Sequence, residues 1–222
     1  MTVNVKQALD KICNDEIFKN ELYFVGGTAL SFYLNHRISE DIDIVSSMSL
    51  PYKKIIPNIT NIGAIKLQDE NVTALRMAGL FPDEYMIKFV INNVKLEFFQ
   101  ANRPIQKEIL LTASFINYEK SNLKILDVKS VAKLKIVALI MRNKSRDLFD
   151  FGTILKHKVL SIQEIVDLFS KVDSKISSFG DVVNFIKSKK KPKDDEAVYL
   201  SEMDRVDLSF EEIKDQVIEK IG

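Results

Sequence analysis

The sequence predicts an α+β fold: a small mixed sheet backed by helices, followed by a helical bundle. Three observations carry that expectation. Strand-type segments crowd into residues 22–126, whereas the segments from 127 onward show the three-to-four spacing of helices. Within the first part, Asp41-Ile42-Asp43-Ile44 alternates acid and isoleucine, as a half-buried strand does. The change of pattern sets an expected division into a domain 1–126 and a domain 127–222.

The elements follow in order. Val5, Ala8, Leu9, Ile12 and Ile17 recur at helical spacing, predicting an amphipathic helix over 4–20. A short apolar strand over 22–25 stops at Gly26-Gly27, helical composition resumes over 28–35, and 41–45 is the alternating strand. Residues 51–61 read as a helix with Pro51 at its first position, which Pro57 would end or kink. Four β-rich segments follow, at 64–67, 72–77, 84–91 and 94–100. Asp69-Glu70-Asn71 supplies one turn, and Asn92-Asn93 is short enough for a two-residue hairpin. A last strand is expected near 123–126, then helices at 129–142, 146–156, 162–171, 181–189 and 208–221.

Composition excludes several classes of function. The 222 residues are 46% hydrophobic and 28% charged, and 32 basic against 31 acidic residues leave a net charge of +1, too little for a global field that recruits nucleic acid. The longest apolar run, Ile136 to Met141, falls far short of the roughly 20 residues a membrane span needs. Residues 1–20 lack the apolar core of a signal peptide, so the expected location is cytoplasmic, with no membrane partner. One cysteine, Cys13, and two histidines, His36 and His157, exclude an internal disulfide, a Cys-based zinc site and a three-His metal site. The basic run at 187–193 reads either as a solvated loop or as an RNA-contacting patch.

The chemistry-bearing stretch is Gly26-Gly27-Thr28 followed by Arg37-Ile38-Ser39-Glu40-Asp41-Ile42-Asp43. Residues two apart in a strand share a face, so Asp41 and Asp43 project together while Ile42 and Ile44 turn to the core. Two carboxylates so placed repel unless a cation lies between them. Mg²⁺ (or Mn²⁺) suits them, because it takes hard oxygen ligands and leaves positions for water or substrate phosphates. A diglycine between strand and helix lets a phosphate approach the backbone N–H groups of the helix start. A phosphate cradle beside a metal-binding acid pair is what nucleotidyl transfer from an NTP requires.

In this order and spacing, Gly26-Gly27-Thr28, Arg37-x-Ser39 and Asp41-x-Asp43 resemble the DNA polymerase β-like nucleotidyltransferase superfamily, and within it the AbiEii/AbiGii toxin family. The resemblance runs over roughly residues 20–155. It implies a third carboxylate on a neighbouring strand, for which Glu97 is the candidate. Leu96 and Phe98 would face the core beside it, and Phe99 departs from the alternation. Asp69, Glu70, Asp83 and Glu84 are rivals at turns or strand ends, and the family more often has Asp at this position. Lys135 matches the family's phosphate-binding lysine, and Arg146-Asp147-Leu148-Phe149-Asp150 its later acidic motif, with Asp147 in the catalytic or base-like place and Asp150 orienting a neighbour. Arg37, whose planar fork pairs with phosphate oxygens, is expected on the triphosphate. Ser39 is expected to bond a phosphate or to cap the turn.

The implied activity is metal-dependent transfer of a nucleoside monophosphate from an NTP to an acceptor, RNA and specifically tRNA, by a toxin that a separate antitoxin protein opposes. Two other readings stand beside it: a small-molecule nucleotidyltransferase of the drug-modifying kind, and a nucleotide-binding or interaction module without turnover. Asp150-Phe151-Gly152 spells a kinase metal motif, but no Gly-rich or His-Arg-Asp loop precedes it. His36 and His157 stand alone, although His36 adjoins Arg37 and so remains a candidate substrate contact.

Overall fold

The structure is a computed structural model that describes residues 1–68, 72–201 and 203–221. The turn expected at Asp69-Glu70-Asn71, and the rival acids Asp69 and Glu70, lie outside the described residues. The chain divides into two compact units, Met1–Phe32 with Ser39–Asp127 and Tyr33–Ile38 with Val128–Gly222.

In the first unit, α1 (Val3–Ile12) buries Val5, Ala8, Leu9 and Ile12, and the Thr2 hydroxyl caps it by accepting from the Val5 N–H. The expected helix over 4–20 is broken because Asp15 takes the Ile17 N–H and opens a separate 3-10 turn, Glu16–Lys19. The chain continues as β1 (Tyr23–Val25), α2 (Gly26–Leu34), β2 (Asp41–Ser46), α3 (Tyr52–Asn61), β3 (Ile65–Lys66), α4 (Val72–Met77), β4 (Met86–Ile91), β5 (Val94–Gln100), α5 (Pro104–Thr112), β6 (Phe115–Asn117) and β7 (Lys124–Leu126). Seven strands form one mixed sheet in the order β3-β4-β5-β2-β1-β7-β6. At its centre β2 runs antiparallel to β1 and parallel to β5. Phe24, Ile42, Ile44, Phe89, Leu96 and Phe98 are all fully buried from these strands, and Phe98 stacks on Phe18.

The hairpin β4-β5 closes with Ile91 opposite Val94, and Asn92 and Asn93 take φ of 51° and 59°. That is the type I′ geometry, which asparagine tolerates. Elsewhere the sequence reading needs correction. Residues 72–77 form helix rather than strand: Ala74, Leu75, Arg76 and Met77 are strong helix formers, and among the described residues no strand pairs with them. Pro51 is the residue before α3, not its first, and α3 continues through Pro57, held down by buried Ile55 and Ile59. α5, with Pro104 at its start, and β6 were not anticipated.

The second unit is helical: α6 (Val128–Met141), α7 (Ser145–Lys156), α8 (Ile162–Val172), α9 (Phe179–Ser188) and α10 (Phe210–Ile221). Ser161 with Glu164 and Ser178 with Asp181 form capping boxes that fix the starts of α8 and α9. Phe169 packs between Phe151 and Phe185 in the core. Gly152 lets α10 lie close to α7, since a Cβ there would meet Val217 Cγ2 at 3.0 Å. Residues 33–38 join this unit, with the Ile38 N–H bonded to the Tyr199 carbonyl at 2.7 Å. One isolated bridge, Tyr199 to Arg205, is the extended pairing here among the described residues. Within the basic run, Lys189 turns inward and donates to the Arg142 carbonyl and Asn143 Oδ1, both at 2.9 Å. Burial pushes its ammonium down to about 8, against the opposing charge of Asp147. Among the described residues no helix is long and apolar enough to cross a membrane.

Candidate active site

The diglycine bend and the acid pair meet in the first unit. β1 ends at Val25, whose register partner on β2 is Asp43, so Gly26 starts beside that carboxylate. Gly26 has φ +81°, and a Cβ built there would lie 2.0 Å from Asp43 Oδ2. Only glycine fits on both counts. Asp41 and Asp43 are half-buried and alternate with fully buried Ile42 and Ile44, so the two acids share the sheet face opposite that core. Across the sheet, Glu97 is the register partner of Asp43 on β5, between buried Leu96 and Phe98. Phe99 is half-buried on the Glu97 side, so the alternation holds through it.

Glu97 arrives with its charge matched. Its Oε1 lies 2.9 Å from Lys95 Nζ and 3.7 Å from Lys88 Nζ. Among the described residues, no three of His, Cys, Asp and Glu gather closely enough to form a metal cage. Of the rivals, Asp83 pairs with Lys66 and Arg76 at 2.8 Å each, away from β2 in the sheet order.

Thr28 and Ser39 work as struts. The wholly buried Thr28 hydroxyl bonds the Asp41 carbonyl and lies 2.9 Å from Ser39 Oγ. The first turn of α2 is thereby tied to the strand that presents the acids. Gly27 is buried in the same turn.

The remaining expected residues lie in the second unit, around an acid that the sequence reading gave only an orienting part. Asp150 on α7 is fully buried, and Arg37, Lys135 and His36 converge on it. Arg37 Nε lies 2.7 Å from Oδ1 and Nη2 3.0 Å from Oδ2, a fork. Lys135 Nζ from α6 lies 2.7 Å from Oδ2, and His36 Nε2 2.7 Å from Oδ1. Burial alone would raise the Asp150 pKa. The charges of Lys135 and Arg37 and the His36 hydrogen bond outweigh it and hold the carboxyl well below its usual range. An ionised carboxylate only accepts, so His36 Nε2 carries the proton of that bond.

Asp147, one turn earlier, is 1% exposed and forked by Arg142, with Nε to Oδ2 at 2.7 Å and Nη2 to Oδ1 at 3.1 Å. Lys135 Nζ stands 3.8 Å from it. Here Asp147 is an anchor for cations, and Arg37, 2% exposed, is turned into the protein rather than toward solvent. Spacing places Asp147 and Asp150 together, three apart on α7. Arg37 and His36 come from more than a hundred residues away, and no local pattern links them to Asp150.

A family model, described as the nucleotidyl transferase AbiEii toxin of type IV toxin–antitoxin systems, matches residues 7–216. The chain belongs to the AbiEii family. An uncharacterised protein of Aquifex aeolicus (strain VF5) is 25% identical over 169 residues, 75% of this chain and 72% of that one. The fold is similar to JHP933 from Helicobacter pylori, with a TM-score of 0.51 at 16% identity over 99% of this chain and 89% of that one. It is also similar to MenT4, a nucleotidyltransferase toxin from Mycobacterium tuberculosis H37Rv, with a TM-score of 0.54 at 12% identity over 99% of this chain and 81% of that one. At such identities these two likenesses are of fold. Membership makes this AbiEii chain a nucleotidyltransferase of the toxin class.

Proposed function

We propose that this AbiEii protein transfers a nucleoside monophosphate from an NTP to an RNA acceptor, tRNA in particular, with a divalent cation held by Asp41 and Asp43. The observation that carries the reading is the seat of Asp43 against Gly26, where backbone and carboxylate touch with no side chain between them. The donor set fits Mg²⁺ or Mn²⁺. Two carboxylates on one strand face are enough for an ion that takes its other ligands from water and substrate phosphates. Glu97, paired with Lys95 and Lys88, would be the third carboxylate beside them.

When bound, the metal supplies a lower barrier to attack at phosphorus by neutralising developing charge. The protein's own part is positioning. Gly26 and Gly27 leave backbone open to phosphate, and Thr28 and Ser39 hold that turn against β2. Lys135 is the cation left to serve a substrate phosphate, whereas Arg37, buried with its fork closed on Asp150, is a structural partner. Asp150 holds both in place, and Asp147 anchors Lys135 with Arg142 rather than taking the acceptor's proton. In the reaction the acceptor hydroxyl gives its proton to solvent water, its oxygen bonds the α-phosphorus, and the bond from the α-phosphorus to the bridging oxygen of the β-phosphate breaks to release pyrophosphate. Family membership supports an antitoxin protein as partner and the cytoplasm as the place of action.

The test is transfer of α-labelled NTP onto total RNA, and separately onto small hydroxylated compounds, by the wild type and by Asp41→Asn with Asp43→Asn. Label in RNA that falls roughly a thousandfold in the variant is expected, the loss of several kcal/mol of metal-borne stabilisation. Label in small molecules alone would assign the acceptor to that class. Binding without transfer would make the protein a nucleotide-binding module.

A further inference from the structure

The second unit contains a cavity of about 360 Å³ that none of the residues assigned to catalysis lines. Segment 34–36, α7, α10 and Leu200 enclose it, and it is large enough for a small organic ligand. Its lining includes Lys156 and Lys220 and no carboxylate. Both lysines are exposed, and neither is paired with an acid among the described residues. Both histidines of the chain, His36 and His157, line it as well.

His36 adds a second, independent observation. Its side chain is 4% exposed and its Nε2–H is committed to Asp150. Its Nδ1 is the one buried side-chain nitrogen or oxygen without a hydrogen-bond partner among the described residues. Leaving such an atom unpaired costs stability, so its retention asks for a partner. The ring lies nearly parallel to Phe149, with centroids 6.2 Å apart and planes 17° apart. Ile213 and Val217 add an apolar wall.

We propose that this cavity is a second nucleotide site, for a nucleoside monophosphate. The phosphate suits Lys156 and Lys220, and the flat base suits the Phe149 and apolar side beside His36. Inorganic phosphate would leave the apolar wall against water, and a purely apolar ligand would leave two lysines unmatched. A bound nucleotide would also steady the His36 ring on Asp150, and so the carboxylate that holds Arg37 and Lys135. The inference stands whether or not the proposed acceptor is correct.

The test is a titration of the full chain, ¹⁵N-labelled at histidine, with AMP, GMP, CMP and UMP in EDTA. The nucleosides and inorganic phosphate serve as separate probes. Because both imidazoles line the cavity, their nitrogen signals report on it directly. Expected is a saturable shift of both histidines with at least one monophosphate, with its nucleoside and inorganic phosphate about tenfold weaker or more. Lys156→Ala with Lys220→Ala should weaken that binding by about tenfold or more, without changing the urea midpoint. No saturable shift with any monophosphate, equal binding of inorganic phosphate, or unchanged affinity in the double variant would each overturn the proposal.

Discussion

Gly26 concentrates the chemistry of the first unit into one missing side chain. An alanine there meets two penalties, a positive φ and a Cβ 2.0 Å from Asp43 Oδ2. Gly63 shares the first penalty with φ +96° but has nothing within 4 Å of its would-be Cβ, which makes it the control. Both alanine variants should lose about 1–2 kcal/mol of stability from the left-handed backbone. Gly26→Ala should also lose transfer activity by about a hundredfold, because it displaces a reacting group by an ångström or more. Equal activity in the two variants would separate Asp43 from the chemistry. The diglycine and the Asp-x-Asp pair were legible because both signals are local: a bend needs its glycine, and a two-residue period fixes a face. The Lys95 partner of Glu97 was not drawn from the sequence, although the same two-residue period puts both on one face. Lys88 was not legible, since it comes from cross-strand register.

Among the elements, α6 and α7 owe their alignment at this site to Asp150. Its carboxylate takes Lys135 from α6 and Arg37 from the 33–38 segment, each at 2.7 Å. Asp150→Asn would strand those cations, and a loss of about 3–5 kcal/mol is expected in urea unfolding. The sign with pH is defined. Asp150 keeps its charge in the fold below the range where the unfolded chain protonates, so its contribution is full above about pH 4 and is lost as pH falls further. The asparagine variant should lack that acid limb. A cost under about 1 kcal/mol would mean that Lys135 and Arg37 find solvent instead. The helices from 128 onward were legible by composition and period, even α6, which is buried on most of its circumference. α4 was misread because Val72-Thr73 looks β-like, while the four helix formers behind it, with no strand pairing on them among the described residues, decided the outcome.

For the whole molecule, the resemblance seen in a few motifs extends over residues 7–216 as family membership. Short motifs sufficed because they mark the places where chemistry restricts the backbone. The convergence of His36, Arg37, Lys135 and Asp150 was not legible, because it depends on a segment near the start of the chain joining the helical unit. The account rests on Asp41 and Asp43 sharing one divalent ion with a nucleotide. The most direct measurement is anomalous diffraction from crystals soaked with an NTP and Mn²⁺. The account predicts a manganese peak about 2 Å from carboxylate oxygens of both aspartates, with the triphosphate completing its ligands. Manganese and triphosphate bound with neither aspartate in contact would contradict it.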